Sequence, residues 1–202
     1  EGELKEATVG DFKYTYLDGK GVATIVGRAN DNLTHITIPA TVSIGGANYA
    51  VKTIGPSAFQ SCRIDTLVIS EGVETIGNRA FQNNYDYLKS VTLPKSLRSI
   101  GSYAFYDCYS IKELVIPEGV EKIADNAFNE CSGLQRVELP STLVAIGECA
   151  FRGCGSLSTV LSRIQTPFDI KPNVFSSNWS WDYSTGEERQ VYTPCDANLY
   201  TT

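Results

Sequence analysis

The dipeptide Ala-Phe returns at a nearly constant interval along most of the chain, and this interval constrains the fold more than any other feature. Successive phenylalanines lie 22, 24, 23 and 23 residues apart. The five copies are Ala58-Phe59, Ala80-Phe81, Ala104-Phe105, Ala127-Phe128 and Ala150-Phe151. A unit of this length is too short to bury its own apolar face, so the period predicts that successive units stack around one shared core.

Several other positions keep the same register. An isoleucine lies five residues before each phenylalanine: Ile54, Ile76, Ile100, Ile123 and Ile146. A glycine follows each isoleucine except Ile123, which is followed by Ala124. Three residues after the phenylalanine lies what we call the ladder position: Cys62, Asn84, Cys108, Cys131 and Cys154. An apolar triplet at i, i+3 and i+5 follows, as in Leu88, Val91 and Leu93, and most copies then have a proline such as Pro94.

This pattern predicts the local structure of each coil. The end of the triplet alternates like a short strand, and the proline stops the strand because it cannot donate a hydrogen bond to a ladder. We expect one such strand in each coil, paired in parallel about 4.8 Å from the next. We also expect each Ala-Phe to begin a helical or 3₁₀ turn, and the glycine after each isoleucine to adopt a positive φ.

These residues resemble the leucine-rich repeat of the Bacteroides surface protein A (BspA) type over residues 33 to 175. The pattern that carries the resemblance is L-x-x-V-x-L-P-x-x-L-x-x-I-G-x-x-A-F-x-x-C, which here begins at Leu88 and ends at Cys108. The resemblance implies an α/β fold, namely a leucine-rich repeat solenoid that forms a right-handed superhelix. It also implies display on a cell surface and adhesion to host or neighbouring-cell proteins.

We expect a single domain over residues 1–202, because the ends of a solenoid need covering by caps of their own. Residues 1–32 are predicted to form an N-terminal β-hairpin cap, since alternating residues flank Asp18-Gly19: Phe12, Tyr14 and Tyr16 before it, and Val22, Thr24 and Val26 after it. About six repeats fill residues 33–175. Residues 176–202 are predicted to form a C-terminal cap in which Trp179, Trp181 and Tyr183 plug the last coil or contact a ligand.

Four of the six cysteines occupy the ladder position. Side chains stacked in parallel keep their Cβ atoms about 4.8 Å apart, slightly beyond the roughly 3.5–4.5 Å that a disulfide requires. We therefore expect reduced, buried thiols at Cys62, Cys108, Cys131 and Cys154. Cys149 and Cys195 lie off the ladder, and the sequence leaves their redox state open.

Composition excludes several classes of function. A net charge of −6 offers no basic surface for nucleic acid or an anionic membrane, and no apolar run is long enough to insert into a bilayer. The single histidine, His35, excludes a multi-histidine metal site, and phosphate-binding glycine motifs are absent. Acidic pairs such as Glu71/Glu74 and Glu118/Glu121 recur with the repeat, which indicates solvated charge rather than catalysis. We expect no enzyme activity, no cofactor and no metal.

One candidate binding surface is the outward side of the predicted sheet, because strand side chains alternate between faces. Its residues are His35, Thr37, Thr66, Val68, Ser90, Thr92, Glu113, Val115, Arg136 and Glu138. Stacking of curved coils would make this face concave and suited to a protein or glycan. Alternatively, these residues are simply good strand formers, with Glu113 and Arg136 as a weak cross-strand ion pair.

A second candidate is a cluster of five tyrosines, which we call the tyrosine cluster: Tyr85, Tyr87, Tyr103, Tyr106 and Tyr109. Grouped exposed tyrosines are typical of protein or sugar contact sites. The alternative is that they pack over the enlarged turn of the second coil and stiffen it.

The leading hypothesis is a non-enzymatic extracellular module that binds a protein or a glycan. A structural spacer within a larger surface protein is the alternative, and a glycan-acting enzyme is a distant third. The chain begins at Glu1 and contains no methionine, so we expect a secreted or surface protein whose signal peptide has been removed. The ligand and the oligomeric state stay open at this stage.

Overall fold

The computed structural model describes residues 3–164, 168, 170 and 173–175, together with three strands near the C-terminus at 179–182, 187–190 and 198–201. The first strands are β1 (Leu4–Val9), β2 (Phe12–Leu17), β3 (Val22–Arg28), β4 (His35–Ile38), β5 (Thr41–Ile44) and β6 (Ala47–Ile54). The repeats contain β7 (Thr66–Ile69), β8 (Thr75–Ile76), β9 (Ser90–Thr92), β10 (Ser99–Ile100), β11 (Glu113–Val115), β12 (Lys122–Ile123), β13 (Arg136–Leu139), β14 (Ala145–Ile146) and β15 (Thr159–Ser162). The last three are β16 (Trp179–Asp182), β17 (Glu187–Gln190) and β18 (Asn198–Thr201).

Antiparallel strands precede the repeats at the N-terminal end of the chain. β1, β2 and β3 pair in an antiparallel manner, and β3 then pairs in parallel with β6. The predicted hairpin on either side of Asp18-Gly19 is present as β2 and β3. Its second strand buries Ala23 and Ile25, whereas Val22 and Val26 are exposed. The register of the β2–β3 pairing shifts between Lys13 and Tyr14, so this ladder is irregular.

Each repeat contributes two parallel strands rather than the one that was expected. The predicted strands form β4-β7-β9 and β11-β13-β15-β18, while a second set joins β6-β8-β10-β12-β14 on another side of the coil. Apart from β6, the extra strands are only two residues long, as in Ser99–Ile100. Two residues are too few to show the alternation by which a strand is recognised in sequence.

The Ala-Phe segments are turns that hydrogen-bond from coil to coil. The backbone N–H of Phe105 donates to the carbonyl of Ala127 at 2.7 Å, and the same bond is made by Phe59, Phe81 and Phe128 to the next coil. Residues with positive φ flank each segment, such as Tyr103 at 58° and Asp107 at 59°. These conformations stop a helix from propagating, and no helix occurs among the described residues. The α part of the expected α/β fold class is therefore wrong for the described residues.

The phenylalanines form a continuous stack through the core. Adjacent rings from Phe59 to Phe175 lie 5.1–5.4 Å apart between centroids and are inclined by no more than 14°. The rings from Phe59 to Phe151 are completely buried. The prediction that successive coils share one core is confirmed.

The glycines that follow the isoleucines permit a close approach between backbones. A Cβ on Gly77 would lie 2.8 Å from the carbonyl oxygen of Ile54, and one on Gly101 would lie 2.7 Å from the backbone nitrogen of Asn78. Neither glycine has a positive φ, so that prediction is wrong. Ala124 shows that one coil accommodates a methyl group at this position.

From Asn84 onward, the side chain at the ladder position donates a hydrogen bond to the backbone carbonyl of the phenylalanine in the previous coil. Sγ of Cys108 lies 3.2 Å from the carbonyl of Phe81, and Sγ of Cys131 lies 3.2 Å from that of Phe105. All five described cysteines are free thiols, as expected for the ladder, although Cys62 is only half-buried. Burial raises the pKa of the Cys108 thiol to about 12, which makes it a poor nucleophile. Cys195 lies outside the described residues.

We expect Phe105→Ala to lower the free energy of unfolding by about 3–5 kcal/mol, because a completely buried ring is replaced by a cavity. Urea denaturation measures this change. Val144→Ala is the control, since the Val144 side chain is 55% exposed, and it should change stability by less than about 0.5 kcal/mol. A loss below about 1 kcal/mol for Phe105→Ala would contradict the buried stack.

We expect Gly101→Ala to destabilise the protein by about 1–3 kcal/mol, because the new methyl group forces two coils apart. Gly155→Ala is the matched control: nothing lies within 4 Å of a Cβ there, and its φ is outside the left-handed region. Thermal unfolding of both variants compares them directly. Equal effects of the two substitutions would show that close coil contact does not explain the glycine.

Candidate functional site: an exposed sheet face with a groove

The outward residues of the first three repeat strands line up in two rows. The register places His35 beside Thr66 and then Ser90, and places Thr37 beside Val68 and then Thr92. Thr66 is half-buried and the other five are exposed. His35 contacts Thr34, with 2.9 Å between Nδ1 and the hydroxyl oxygen, and no acidic group of the described residues pairs with it. The structure brings this half of the predicted face together as one polar surface.

The second half of the face lies on β11, β13 and β15. Glu113 is beside Arg136, and Val115 is beside Glu138. Arg136 pairs with Glu138 at 2.9 Å in its own strand, and Arg163 also reaches Glu138 at 3.3 Å. The expected Glu113–Arg136 ion pair is therefore wrong, because a carboxylate two residues along the same strand competes for Arg136. Glu113 and Val115 are exposed.

A groove of about 540 Å³ crosses four coils of the face, from Val91 to Arg163. The pairing stops between β9 and β11, whereas the opposite strands β8, β10 and β12 pair without interruption. The groove has apolar walls that include Val91, Leu93 and Val115, and a charged rim that includes Lys95 and Glu113. A groove of this volume is within the range of ligand-binding sites.

Backbone groups along this break lack the partners found in the other coils. The N–H of Gln135 donates to the carbonyl of Lys112 at 2.8 Å, but the equivalent N–H of Lys112 makes no such bond to Lys89. The backbone N–H of Ile116 donates to the backbone carbonyl of Glu138 at 3.0 Å. The equivalent N–H of Leu93 has no backbone acceptor in the described part of the chain. The break therefore leaves two strand edges facing each other unpaired.

The core is also less covered here than in the neighbouring coils. Val91 and Leu93 are half-buried, while their equivalents in the neighbouring coils are at most 3% exposed: Leu67, Leu114 and Val137 for Val91, and Ile69, Ile116 and Leu139 for Leu93. The spacing from the ladder position to the triplet differs among the coils: it is two residues from Cys62 to Ile64, four from Asn84 to Leu88 and three in the following coils. Because β7 and β9 pair despite the larger of these differences, the spacing does not by itself predict where the pairing stops.

The tyrosine cluster consists of two pairs rather than one patch. The rings of Tyr85 and Tyr109 are 6.0 Å apart, and those of Tyr103 and Tyr106 are 5.6 Å apart. Arg63 lies 5.8 Å from the ring centre of Tyr87, and Arg79 lies 5.6 Å from that of Tyr103. Tyr85 and Tyr87 are each 39% exposed, and the other three are half-buried. The rings thus make contacts within the fold that account for part of their surface.

The acidic pairs of the turns connect coils. The carboxylate of Glu71 accepts hydrogen bonds from the backbone N–H groups of Lys95 at 2.9 Å and Ser96 at 3.1 Å in the next coil. Glu118 accepts in the same way from Ser141, and Glu74 pairs with Lys52 at 2.6 Å. These carboxylates are exposed, as expected for solvated charge, and each also has a partner one coil away.

Among the described residues there is no helix long and apolar enough to cross a membrane. Within the same part of the chain, no group of three or more His, Cys, Asp or Glu side chains could hold a metal ion.

Comparisons with known proteins agree with this architecture. The model of the BspA type leucine rich repeat region matches residues 52–180 in six copies. A leucine-rich repeat protein from Bacteroides ovatus is similar with a TM-score of 0.67 and 25% identity, over 77% of this chain and 46% of that one. The leucine-rich repeat protein of T. pallidum has a TM-score of 0.69 and 28% identity, over 78% and 71%. One from Bacteroides capillosus has a TM-score of 0.57 and 26% identity, over 71% and 98%.

This chain therefore spans less than half the length of the Bacteroides ovatus protein. No curated protein matches the sequence. The expected type of repeat and its parallel strands are confirmed.

The hydrogen bonds at Glu71 predict a pH-dependent contribution to stability. The backbone N–H of Lys95, followed by Ser96, lowers the pKa of Glu71 below its ordinary value of 4.5. A carboxyl with a lowered pKa in the folded state stabilises the protein above its unfolded pKa, and loses that effect as the pH falls through the folded pKa. Glu71→Gln should therefore be less stable than the parent at neutral pH, and the difference should shrink below the ordinary carboxyl pKa of 4.5 and disappear once the pH has fallen through the lowered pKa of Glu71.

Urea midpoints at neutral and acidic pH measure this difference. Glu121→Gln is the control, because it removes the same charge from a side chain that makes no hydrogen bond or ion pair in the described structure. A Glu71→Gln effect that persists unchanged in acid would contradict the role of the ionised carboxylate.

Proposed function

Because the chain belongs to the BspA-type leucine-rich repeat family, we propose that it is a non-enzymatic extracellular module, displayed on a bacterial cell surface, that binds other proteins through its exposed sheet face. The proposal includes adhesion to host or neighbouring-cell proteins. It also includes a right-handed superhelix with caps at residues 1–32 and 176–202. The first cap is supported by the contact between Phe12 and Phe59, whose ring centroids are 6.1 Å apart.

The observation that carries this proposal is the alignment of outward side chains across successive strands. Val68 and Val115 are 41% and 58% exposed on this face, Val68 between the short polar side chains of Thr37 and Thr92 and Val115 beside Glu138. A protein partner gains more from such a face than a glycan, because apolar side chains surrounded by polar ones are typical of protein contacts. The groove adds depth to an otherwise flat surface.

The thiols and carboxylates that recur with the repeat are used to hold its coils together. The buried thiols have strongly raised pKa values at Cys108 and Cys131, and the turn carboxylates bond the backbone of the next coil. These groups support binding rather than an enzymatic reaction. A structural spacer needs no accessible binding face. The spacer hypothesis therefore predicts no binding in an experiment in which the proposal predicts binding.

An array of matrix proteins and glycans, probed with the whole chain, tests the proposal. We expect saturable binding to a protein that weakens at least about tenfold, or about 1.4 kcal/mol, in Val68→Glu. Val144→Glu is the matched control, because Val144 is 55% exposed and lies outside the groove and outside both candidate sites. Absence of any protein binding would overturn the proposal and favour the spacer, and binding to glycans alone would overturn the protein partner.

The tyrosine cluster is a second candidate site, supported by the exposure of Tyr85 and Tyr87. If it takes part, Tyr103, Tyr106 and Tyr109 changed together to Ala will weaken the same binding without loss of fold. Unchanged binding in this triple variant would leave the sheet face as the site and remove the tyrosines from it.

A further inference from the structure

We propose that the groove on the exposed sheet face binds an amphipathic α-helix of a partner protein, which lies along the stacking direction so that one helical turn meets each coil. This inference rests on the proposed function, because it names the class of partner and the part of the face that receives it. The groove crosses the strands rather than following them, since it extends from Val91 in β9 to Arg163 just after β15.

An apolar stripe forms the floor of the groove. Leu93 is half-buried there, and Ile116 and Leu139 stand at the equivalent position in the next two coils. Val115 lies beside them and is 58% exposed, so the stripe is open to solvent. The row of prolines that follow the strands extends the stripe: Pro117 and Pro140. An occupant that covers this stripe is apolar on one side and polar on the side that faces solvent.

The spacing of the coils favours a helix over an extended segment. In the coils that line the groove, neighbouring phenylalanine rings from Phe81 to Phe151 are 5.1–5.3 Å apart, and paired strands are about 4.8 Å apart. One turn of a helix advances about 5.4 Å, which differs from these spacings by no more than about 0.6 Å. An extended chain returns to the same face about every 6.7 Å and is about half a repeat out of step after two coils. A helix can therefore place one apolar side chain on each coil.

The break in the outward sheet gives the helix an anchoring position. Val91 and Leu93 are half-buried beside the break, whereas the equivalent Leu67 and Ile69 of the previous coil are at most 3% exposed. A leucine on the turn of the helix that faces this coil would cover both side chains. Burial of apolar area at the centre of a contact supplies most of the binding energy of helices in grooves.

Two uncommitted charges flank the stripe on opposite sides. Lys95 follows the end of β9, whereas Glu113 begins β11, and both line the groove. Neither makes an ion pair among the described residues, while Arg163 already pairs with Glu138 at 3.3 Å. The helix should therefore have acidic residues on the flank beside Lys95 and basic residues on the flank beside Glu113. Exposed pairs of this kind contribute little affinity, but they decide the orientation in which the helix binds.

The probe is a fluorescein-labelled, C-terminally amidated peptide made of two copies of the heptad Glu-Leu-Ala-Gln-Leu-Lys-Ala. Its leucines form one stripe, with glutamates along one flank and lysines along the other. As a helix it is about 21 Å long, which is enough to meet four coils. Because the direction of the helix decides which flank faces which rim, one such peptide can satisfy both charges.

Titration with the whole chain in fluorescence anisotropy measures the binding of this peptide. We expect saturable binding with a Kd below about 1 mM, which Val115→Glu weakens at least about tenfold. Val144→Glu should bind as the parent does, because it adds the same charge at a valine of similar exposure outside the groove. No saturation up to about 1 mM, or equal binding by both variants, overturns the proposal.

A second peptide separates a helix from an extended segment. It has the same composition, but its leucines stand at alternate positions, a pattern that favours a strand. We expect it to bind at least about tenfold more weakly, and we expect circular dichroism to show that the unlabelled first peptide gains helix on binding. Equal or tighter binding of the alternating peptide, or no gain of helix by the first, overturns the helical occupant.

Charge reversal tests the flanks of the helix. Lys95→Glu should weaken binding of the first peptide about two- to fivefold, as expected for an exposed ion pair. A peptide with lysine in place of each glutamate should recover this loss with the Lys95→Glu variant. Lys20→Glu is the control, because it reverses the charge of an exposed lysine in the N-terminal hairpin, away from the groove. Equal effects of the two reversals would overturn the placement of the acidic flank beside Lys95.

Further outcomes separate other occupants and the proposed function itself. If the chain alone self-associates in sedimentation experiments and Val115→Glu abolishes this, the groove holds a second copy and the proposal of a partner helix fails. If the array shows binding to a protein while neither peptide binds, the helix groove is wrong and the binding module stands. If the first peptide binds and the array shows nothing, the proposed adhesive function fails instead.

Discussion

The stack of phenylalanine rings determines how closely one coil can lie upon the next, and the rest of the structure follows from that spacing. Neighbouring rings from Phe59 to Phe175 are nearly parallel and never more than 5.4 Å apart. Aromatic pairs in contact contribute about 0.5–1.5 kcal/mol beyond the burial of their surface. The same spacing lets the N–H of Phe105 reach Ala127 and forbids a Cβ at Gly101. It also brings the thiols of Cys108, Cys131 and Cys154 within reach of the phenylalanine carbonyl of the previous coil.

One side of the coil stays paired throughout the repeats, and the other side has a break. The short strands β8, β10 and β12 remain paired next to the phenylalanines. On the other side the pairing stops between β9 and β11, although the stack continues past this point. Val91 and Leu93 are only half-buried beside this break. The stack therefore sets the spacing of the coils without requiring that every strand on the outward face be paired.

Polar chemistry in this protein is largely used to join coils. Glu71 and Glu118 accept hydrogen bonds from the backbone of the following coil, and Asn84 replaces a thiol in the ladder while bonding the carbonyls of Phe59 and Phe81. Groups used in this way are held in one geometry and are not available for proton transfer or nucleophilic attack. Glu113 and Lys95 differ from them, because neither is held by an ion pair in the described structure. The surface that remains for a partner is therefore the outward side of the strands and the groove within it.

The sequence by itself determined the repeat, the shared core, the parallel strands and the residues that point outward, because each of these follows from the spacing of apolar and aromatic side chains. It could not show that the Ala-Phe turns are not helical, since positive φ at Tyr103 or Asp107 leaves no compositional signal. Nor could it show that the recurring glycines such as Gly101 serve close contact, that Arg136 pairs with Glu138 rather than Glu113, or that the tyrosines form two pairs. The groove was decided only in the tertiary structure. The number of residues between the ladder position and the triplet differs among the coils, but β7 and β9 pair across the larger difference while β9 and β11 do not pair across the smaller one. Contacts between coils, rather than the spacing along the chain, therefore decide where the outward sheet is interrupted.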